Sequence, residues 1–207
     1  MQRRPIIGVM GASEAQSSTL HAARQLGRLL AEAGWVVLTG GRPAGVMEAA
    51  CAGAKSVPGS LTIGVLPTGP DGPVSEHVDV AVFTGVGEAR DVINVLSSDV
   101  VVACGVEGPG TAAEVALALK LARPTVLLAA APAASAFFRT IAGRGMLHEV
   151  QTPSRSSSSS SNSLELRAGA RDTLTAQWNE GPQPAFPQEQ SAPEQRGHID
   201  REEDMGE

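Results

Sequence analysis

Aromatic residues are scarce in this 207-residue chain: they make up 3% of it, and tyrosine is absent. Single-stranded nucleic acids are usually held by aromatic side chains on which the bases stack, so such a platform is not expected here. A basic surface is missing as well, because residues 1–150 hold 11 Lys and Arg against 12 Asp and Glu. Screening nucleic-acid phosphates requires a clear excess of positive charge. The composition therefore argues against a nucleic-acid partner.

Cysteine and long apolar runs are also in short supply. Cys51 and Cys104 have neither the CxxC spacing nor the neighbouring histidines of a structural zinc site, so we expect two buried thiols. The N-terminus contains only a short apolar run that ends at Gly11, which predicts a first strand rather than a signal peptide. No stretch approaches the length of a transmembrane helix. We therefore expect a soluble, cytoplasmic protein without a membrane partner.

What the chain does contain is a regular alternation of short buried-strand patterns with helical patterns. Strands are predicted at 5–10, 35–39, 61–66, 78–83, 100–104 and 125–129, and helices at 17–34, 46–55, 88–97, 111–122 and 133–143. In the last helix, Phe137 and Phe138 are both predicted to point inward. This succession predicts an α/β fold, a doubly wound, mainly parallel, Rossmann-like sheet flanked by helices.

The composition changes near residue 150. Six consecutive serines, Ser156–Ser161, lie in a stretch without apolar residues, and residues 151–207 hold 10 Asp and Glu against 5 Lys and Arg. Such a segment cannot bury enough apolar surface to fold by itself. We therefore predict a Rossmann-like cofactor-binding domain over 1–150 and a Ser-rich linker with an acidic, mostly disordered tail over 151–207.

Three glycine loops follow predicted strands, at Gly11–Ser13, Gly40–Gly45 and Gly105–Thr111. In a parallel sheet these loops meet at the carboxyl edge, where ligands bind. Gly108, Pro109 and Gly110 lead into a helix whose free N–H groups and dipole favour an oxyanion, and the Thr111 hydroxyl lies beside them. The complete dinucleotide fingerprint and the P-loop motif are both absent. The loops therefore predict a cleft for a small, phosphate-bearing ligand.

Five polar side chains are candidates for that cleft: Arg42, Glu88, Arg90, Glu107 and Glu114. Arg42 stands in a glycine loop, where an exposed cation is typical of binding. Arg90 either pairs bidentately with an oxyanion or forms a salt bridge with Glu114 or Asp99. Glu114 either interacts favourably with the helix N-terminus or acts as a general acid or base.

Two motifs carry a resemblance to known proteins. The motifs GGRPAGVMEA at Gly40–Ala49 and GPGTAAE at Gly108–Glu114 resemble the Rossmann-like superfamily that includes the lonely-guy phosphoribohydrolases. Arg90 and Glu114 match the arginine and glutamate that those enzymes use. However, Cys104–Gly108 lacks the Pro-Gly-Gly opening of their PGGxGTxxE motif. Over roughly residues 4–148 the fuller similarity is to the molybdenum cofactor carrier proteins.

That resemblance implies a carrier that holds molybdenum cofactor, a pterin with a terminal phosphate and a molybdenum–oxo group, without transforming it. The predicted helix at 111–122 is apolar on nearly every side, which favours a homo-oligomer, and the resemblance implies a dimer or tetramer, with molybdoenzymes as possible recipients. The expected cofactor-binding residues are Gly11, Ser13, Gly40, Gly41, Arg42, Gly45, Arg90, Gly108, Gly110, Thr111 and Glu114. The alternative that it implies is a nucleoside-5′-monophosphate phosphoribohydrolase, with Arg90 and Glu114 as the catalytic pair.

Overall fold

The computed structural model describes residues 3–150, which form an α/β unit built on one parallel sheet of seven strands. The strands are β1 (Ile6–Gly11), β2 (Val36–Thr39), β3 (Leu61–Leu66), β4 (Val80–Phe83), β5 (Val100–Cys104), β6 (Thr125–Leu128) and β7 (Leu147–Val150). The helices are α1 (Ser17–Glu32), α2 (Gly45–Lys55), α3 (Arg90–Ser97), α4 (Pro109–Lys120) and α5 (Pro132–Ile141). The predicted fold class is thereby confirmed.

The strand order is β4-β3-β2-β1-β5-β6-β7. The side of the sheet on which successive strands are added therefore changes between β1 and β5, while all strands stay parallel. After β1 the chain builds outward through β2, β3 and β4, and then returns to the other side of β1. The loops that follow β1 and β5 therefore diverge to opposite faces and leave a crevice at the carboxyl edge, the usual ligand position in such sheets. Every residue of β5 is buried, which explains why the run Val100–Cys104 is wholly apolar.

Helices α1 and α2 cover one face of the sheet, and α3, α4 and α5 cover the other. Contact between α1 and α2 is close because each helix presents a glycine to the backbone of its neighbour. A Cβ on Gly27 would collide with the Ala50 carbonyl oxygen, and a Cβ on Gly53 would collide with that of Arg24. The core on this side therefore depends on the backbones approaching without side chains between them.

Several predictions about individual residues are corrected. Phe138 is buried, but Phe137 is 58% exposed, because neighbouring helix residues point about 100° apart and cannot both face the sheet. The strand β7, which contains His148, was not predicted. Its residues are only partly buried, so it lacks the apolar run that marked the inner strands. The predicted helix at 88–97 begins instead with a 3₁₀ turn, Gly87–Ala89, so that α3 starts at Arg90.

Both cysteines are buried and free, as predicted. Among residues 3–150, no helix is long and apolar enough to cross a membrane. The predicted linker and tail, 151–207, lie outside the described residues.

Candidate functional site

A cleft of about 230 Å³ opens at the carboxyl edge of the sheet, where the loops after β1, β2 and β5 converge. The predicted site residues that line it are Gly11, Ser13, Gly40, Arg42, Arg90, Gly108, Gly110, Thr111 and Glu114. Glu88 and Asp91 line it too, together with the apolar side chains of Val9, Met10, Met47 and Pro109. The cleft therefore combines an apolar wall with backbone donors, two guanidinium groups and three carboxyl groups.

The N-terminus of α4 supplies the backbone donors. Gly108 is the N-cap and adopts an extended conformation, and no side chain caps the helix. Pro109 has no N–H, and Ala112 N already donates to the Gly108 carbonyl at 3.1 Å. The N–H groups of Gly110 and Thr111 belong to the first turn and have no acceptor within the helix. They provide the partial positive charge that an oxyanion requires.

The loop after β2 makes room for a guanidinium group. A Cβ on Gly40 would collide with Nη1 of Arg90 and would approach Sδ of Met47 to 2.8 Å. Glycine at position 40 therefore lets Arg90 lie flat against the loop and reach the cleft.

The other two glycines of this loop do not line the cleft, although both were predicted site residues. Gly41 has φ of 72° and packs against the backbone of Gly64, and Gly45 has φ of 56° and packs against the Ala12 carbonyl. Both positions require the left-handed region, which glycine enters without steric cost. They set the path of the loop rather than its surface.

Arg90 is 7% exposed and does not pair with Asp99, one of the partners that the sequence left open. Asp99 instead accepts hydrogen bonds from the Arg3 guanidinium and the Ile6 N–H. The Arg90 Nε lies 3.2 Å from Oδ1 of Asp91, yet neither atom completes a hydrogen bond with any described residue. The charge of Arg90 is therefore only partly satisfied by the protein.

Glu114 is 7% exposed, and burial raises the pKa of its carboxyl group to about 7. The negative charge of Asp91 raises this pKa further, whereas Arg90 and the nearby Asn94 amide oppose the change. Asn94 is fully buried, but neither of its amide atoms completes a hydrogen bond among the described residues. Near neutral pH the protonated and ionised forms of Glu114 are therefore both populated, as a general acid or base requires.

The two remaining candidates differ in position. At the mouth, the Arg42 guanidinium lies 3.5 Å from the Glu88 carboxylate, and both side chains are exposed. Glu107 lies outside the cleft, contrary to expectation. Its carboxylate accepts hydrogen bonds from the Thr19 hydroxyl at 2.8 Å and the Gln16 N–H at 3.4 Å, at the start of α1. It anchors the loop after β5, in which Gly105 and Val106 both have positive φ.

Sequence reasoning missed Asp91 and Asn94 as parts of the site. Both stand on α3 with Arg90, and Asn94 is four residues after it, hence on the same helix face. A buried amide on that face could have been found from this spacing. The pKa of the Asp91 carboxyl is raised by burial, with a smaller contribution from Glu88.

The parallel sheet and its flanking helices define a Rossmann-like α/β protein with a cleft at the carboxyl edge of the sheet. The model of the SLOG cluster4 family matches residues 4–157, and the chain belongs to that family. It is a Rossmann-like family related to the lonely-guy enzymes.

Two solved structures resemble the chain over nearly their whole length. The molybdenum cofactor binding protein of Rippkaea orientalis is 46% identical, with a TM-score of 0.69, covering 82% of this chain and 99% of that one. The molybdenum cofactor carrier protein of Chlamydomonas reinhardtii is 44% identical, with a TM-score of 0.71, covering 84% and 99%. An uncharacterized protein of Archaeoglobus fulgidus is 44% identical over 114 residues, 55% of this chain and 73% of the relative.

Proposed function

We propose that this protein binds, protects and carries molybdenum cofactor in the edge cleft without transforming it. The observation that carries the proposal is the similarity to two solved cofactor-binding and carrier proteins, at 44–46% identity over 99% of their length. The cofactor is a cargo here, and its phosphate and molybdenum–oxo groups are the oxyanions that the cleft would receive.

The geometry of the cleft supports this ligand class. The first turn of α4 offers the N–H groups of Gly110 and Thr111, and Gly11, Ser13, Arg42 and Arg90 line the same cleft. Backbone N–H groups at a helix N-terminus bind a phosphate, and guanidinium groups add charge-assisted hydrogen bonds. We assign the phosphate to the α4 terminus because both donors there lack an internal acceptor.

The test is anaerobic loading of the purified protein with cofactor released from a molybdoenzyme. Gel filtration then separates retained from free cofactor, and the fluorescence of the oxidised pterin measures its decay in air. Loaded protein should lose cofactor several-fold more slowly than a solution of the free cofactor, and it should restore activity to a cofactor-free molybdoenzyme. Equal decay with and without protein would refute the proposal.

A matched pair of variants connects retention to the cleft. Arg42→Met removes a cleft guanidinium, whereas Arg28→Met removes an exposed one on α1 that pairs with Glu32. Only the first variant should retain less cofactor.

A second candidate, a nucleoside-5′-monophosphate phosphoribohydrolase, is favoured by one observation. Arg90 and Glu114 both line the cleft, and the pKa of Glu114 is raised to about 7. The departure of Cys104–Gly108 from the Pro-Gly-Gly pattern argues for binding instead. Release of free base from adenosine or cytokinin monophosphates, abolished in Glu114→Ala, would establish the enzyme. If no base is released from any of these nucleotides, the enzyme is refuted and the carrier proposal stands.

The proposal includes a homo-oligomer in the cytoplasm. Helix α3 packs beside α4 and exposes Val92, Ile93 and Leu96, which are 37–47% exposed. Exposed apolar residues grouped in this way are typical of a protein interface. Light scattering should give a dimer or tetramer, and Leu96→Glu should shift it toward the monomer. A wild-type monomer at micromolar concentration would contradict this part of the proposal.

A further inference from the structure

The charges around the cleft do not match a site that binds only anions. Three carboxyl groups, those of Glu88, Asp91 and Glu114, line the cleft beside two guanidinium groups. Each guanidinium already has a carboxylate nearby, since Arg42 lies 3.5 Å from Glu88 and Arg90 lies 3.2 Å from Asp91. Glu114 is the carboxyl group that remains without such a pair.

The position of Glu114 rules out capping as its purpose. It is the sixth residue of α4, beyond the first turn in which capping side chains stand, and no hydrogen bond joins its carboxyl group to a helix N–H among the described residues. Asn94 is close, yet its amide atoms complete no hydrogen bond in the described part of the chain. A buried carboxyl group without a protein partner carries a large desolvation cost unless a ligand supplies one.

The chemistry of that ligand group follows from the charge of Glu114. The ionised form of Glu114, which is populated near neutral pH, would repel a phosphate or oxo group, so we place the oxyanions at the free N–H groups of the α4 terminus. The group that meets Glu114 must instead donate hydrogen bonds, and two parallel donors suit the two oxygens of a carboxylate best.

We propose that Glu114 recognises the donor edge of a 2-amino-4-oxopteridine ring, accepting hydrogen bonds from its ring N3–H and its 2-amino group. This inference rests on the proposed function, because it assigns the pterin of the cofactor to the part of the cleft that Glu114 lines. Met10 and Met47 also line this cleft, so the ring would meet apolar as well as polar residues there. The ligand would then lie along α4, with its donor edge at Glu114 and its anionic groups at the first turn, about one helical turn away.

The experiment compares two free heterocycles, pterin and lumazine, which share the N3–H and the 4-oxo group and differ at position 2 and in the hydrogen that lumazine carries on N1. Lumazine carries an oxo group there, which accepts a hydrogen bond where pterin donates one. Binding of each is followed by its own fluorescence at pH 7.5, using wild-type protein, Glu114→Gln and Glu32→Gln. Glu32 is the matched control, since it is an exposed carboxylate on α1 that pairs only with Arg28 among the described residues.

Wild-type protein and Glu32→Gln should bind pterin at least tenfold more tightly than lumazine, and Glu114→Gln should lose that preference. Equal wild-type affinities would overturn the inference, whether or not the Glu114 variant folds. A preference that survives in Glu114→Gln would overturn it as well. If the protein retains molybdenum cofactor but binds neither heterocycle, the inference fails and the proposed function stands. Failure to retain the cofactor itself counts against the proposed function.

Discussion

Replacing Glu114 by glutamine should alter how the stability of the protein depends on pH. The carboxyl group is buried, and its pKa is raised from 4.5 to about 7, chiefly because burial disfavours the charged form. Glutamine has nearly the same shape and cannot ionise. The substitution therefore removes a titration with little change in packing.

The sign follows from proton linkage. Because the pKa is higher in the folded protein than in the unfolded chain, the folded protein holds this proton more tightly. Its contribution to stability is complete below pH 4.5, declines as the pH rises, and is gone above pH 7. The full effect is roughly 3 kcal/mol, most of which falls between pH 5 and pH 8.

Urea unfolding at pH 5 and pH 8 measures this directly. Between the two pH values, wild-type protein should lose roughly 2–3 kcal/mol more unfolding free energy than Glu114→Gln. Titrations of the other groups are common to both proteins and largely cancel. The exposed Glu32→Gln serves as the control and should follow the wild type. If wild-type protein and Glu114→Gln lose the same stability, Glu114 does not hold its proton as the structure implies.

Four further substitutions test the site and the packing. Gly40→Ala should reduce cofactor retention several-fold, because the new methyl group displaces the guanidinium of Arg90. Its melting temperature should stay within a few degrees of wild type, because that guanidinium can move. Unchanged retention would argue against a role for Arg90. Gly27→Ala should lower the unfolding free energy by about 1–3 kcal/mol, because its methyl group meets backbone of α2, and a more stable variant would contradict that close approach. Phe138→Ala should cost about 3–5 kcal/mol in urea unfolding. Phe137→Ala should cost much less, and similar costs would mean that both rings are buried.

The sequence determined the sheet and the approximate edge of the site. Runs such as Val100–Cys104 are too apolar for anything but buried strands, and glycine loops between them mark the carboxyl edge. Periodicity could not reveal β7, because its residues lie at the border of the sheet and are only partly buried. It also could not show which of Phe137 and Phe138 is buried, because that depends on how the helix packs on the sheet. The order of the strands, in which β1 pairs with both β2 and β5, was not predicted, because strand pairing depends on contacts between residues that are far apart in the sequence.

Tertiary structure alone decided the chemistry within the cleft. The sequence offered both Glu107 and Glu114 as polar candidates for the cleft, seven residues apart, and only Glu114 among the expected cofactor-binding residues. Folding turns Glu107 outward to the start of α1 and buries Glu114 between α3 and α4, beside Arg90 and Asn94. The ionisation of a carboxyl group depends on the water and charges around it, and those neighbours come from segments distant along the chain. Residue types and spacing therefore locate this site, while burial and charge, which decide what it can bind, exist only in the folded chain.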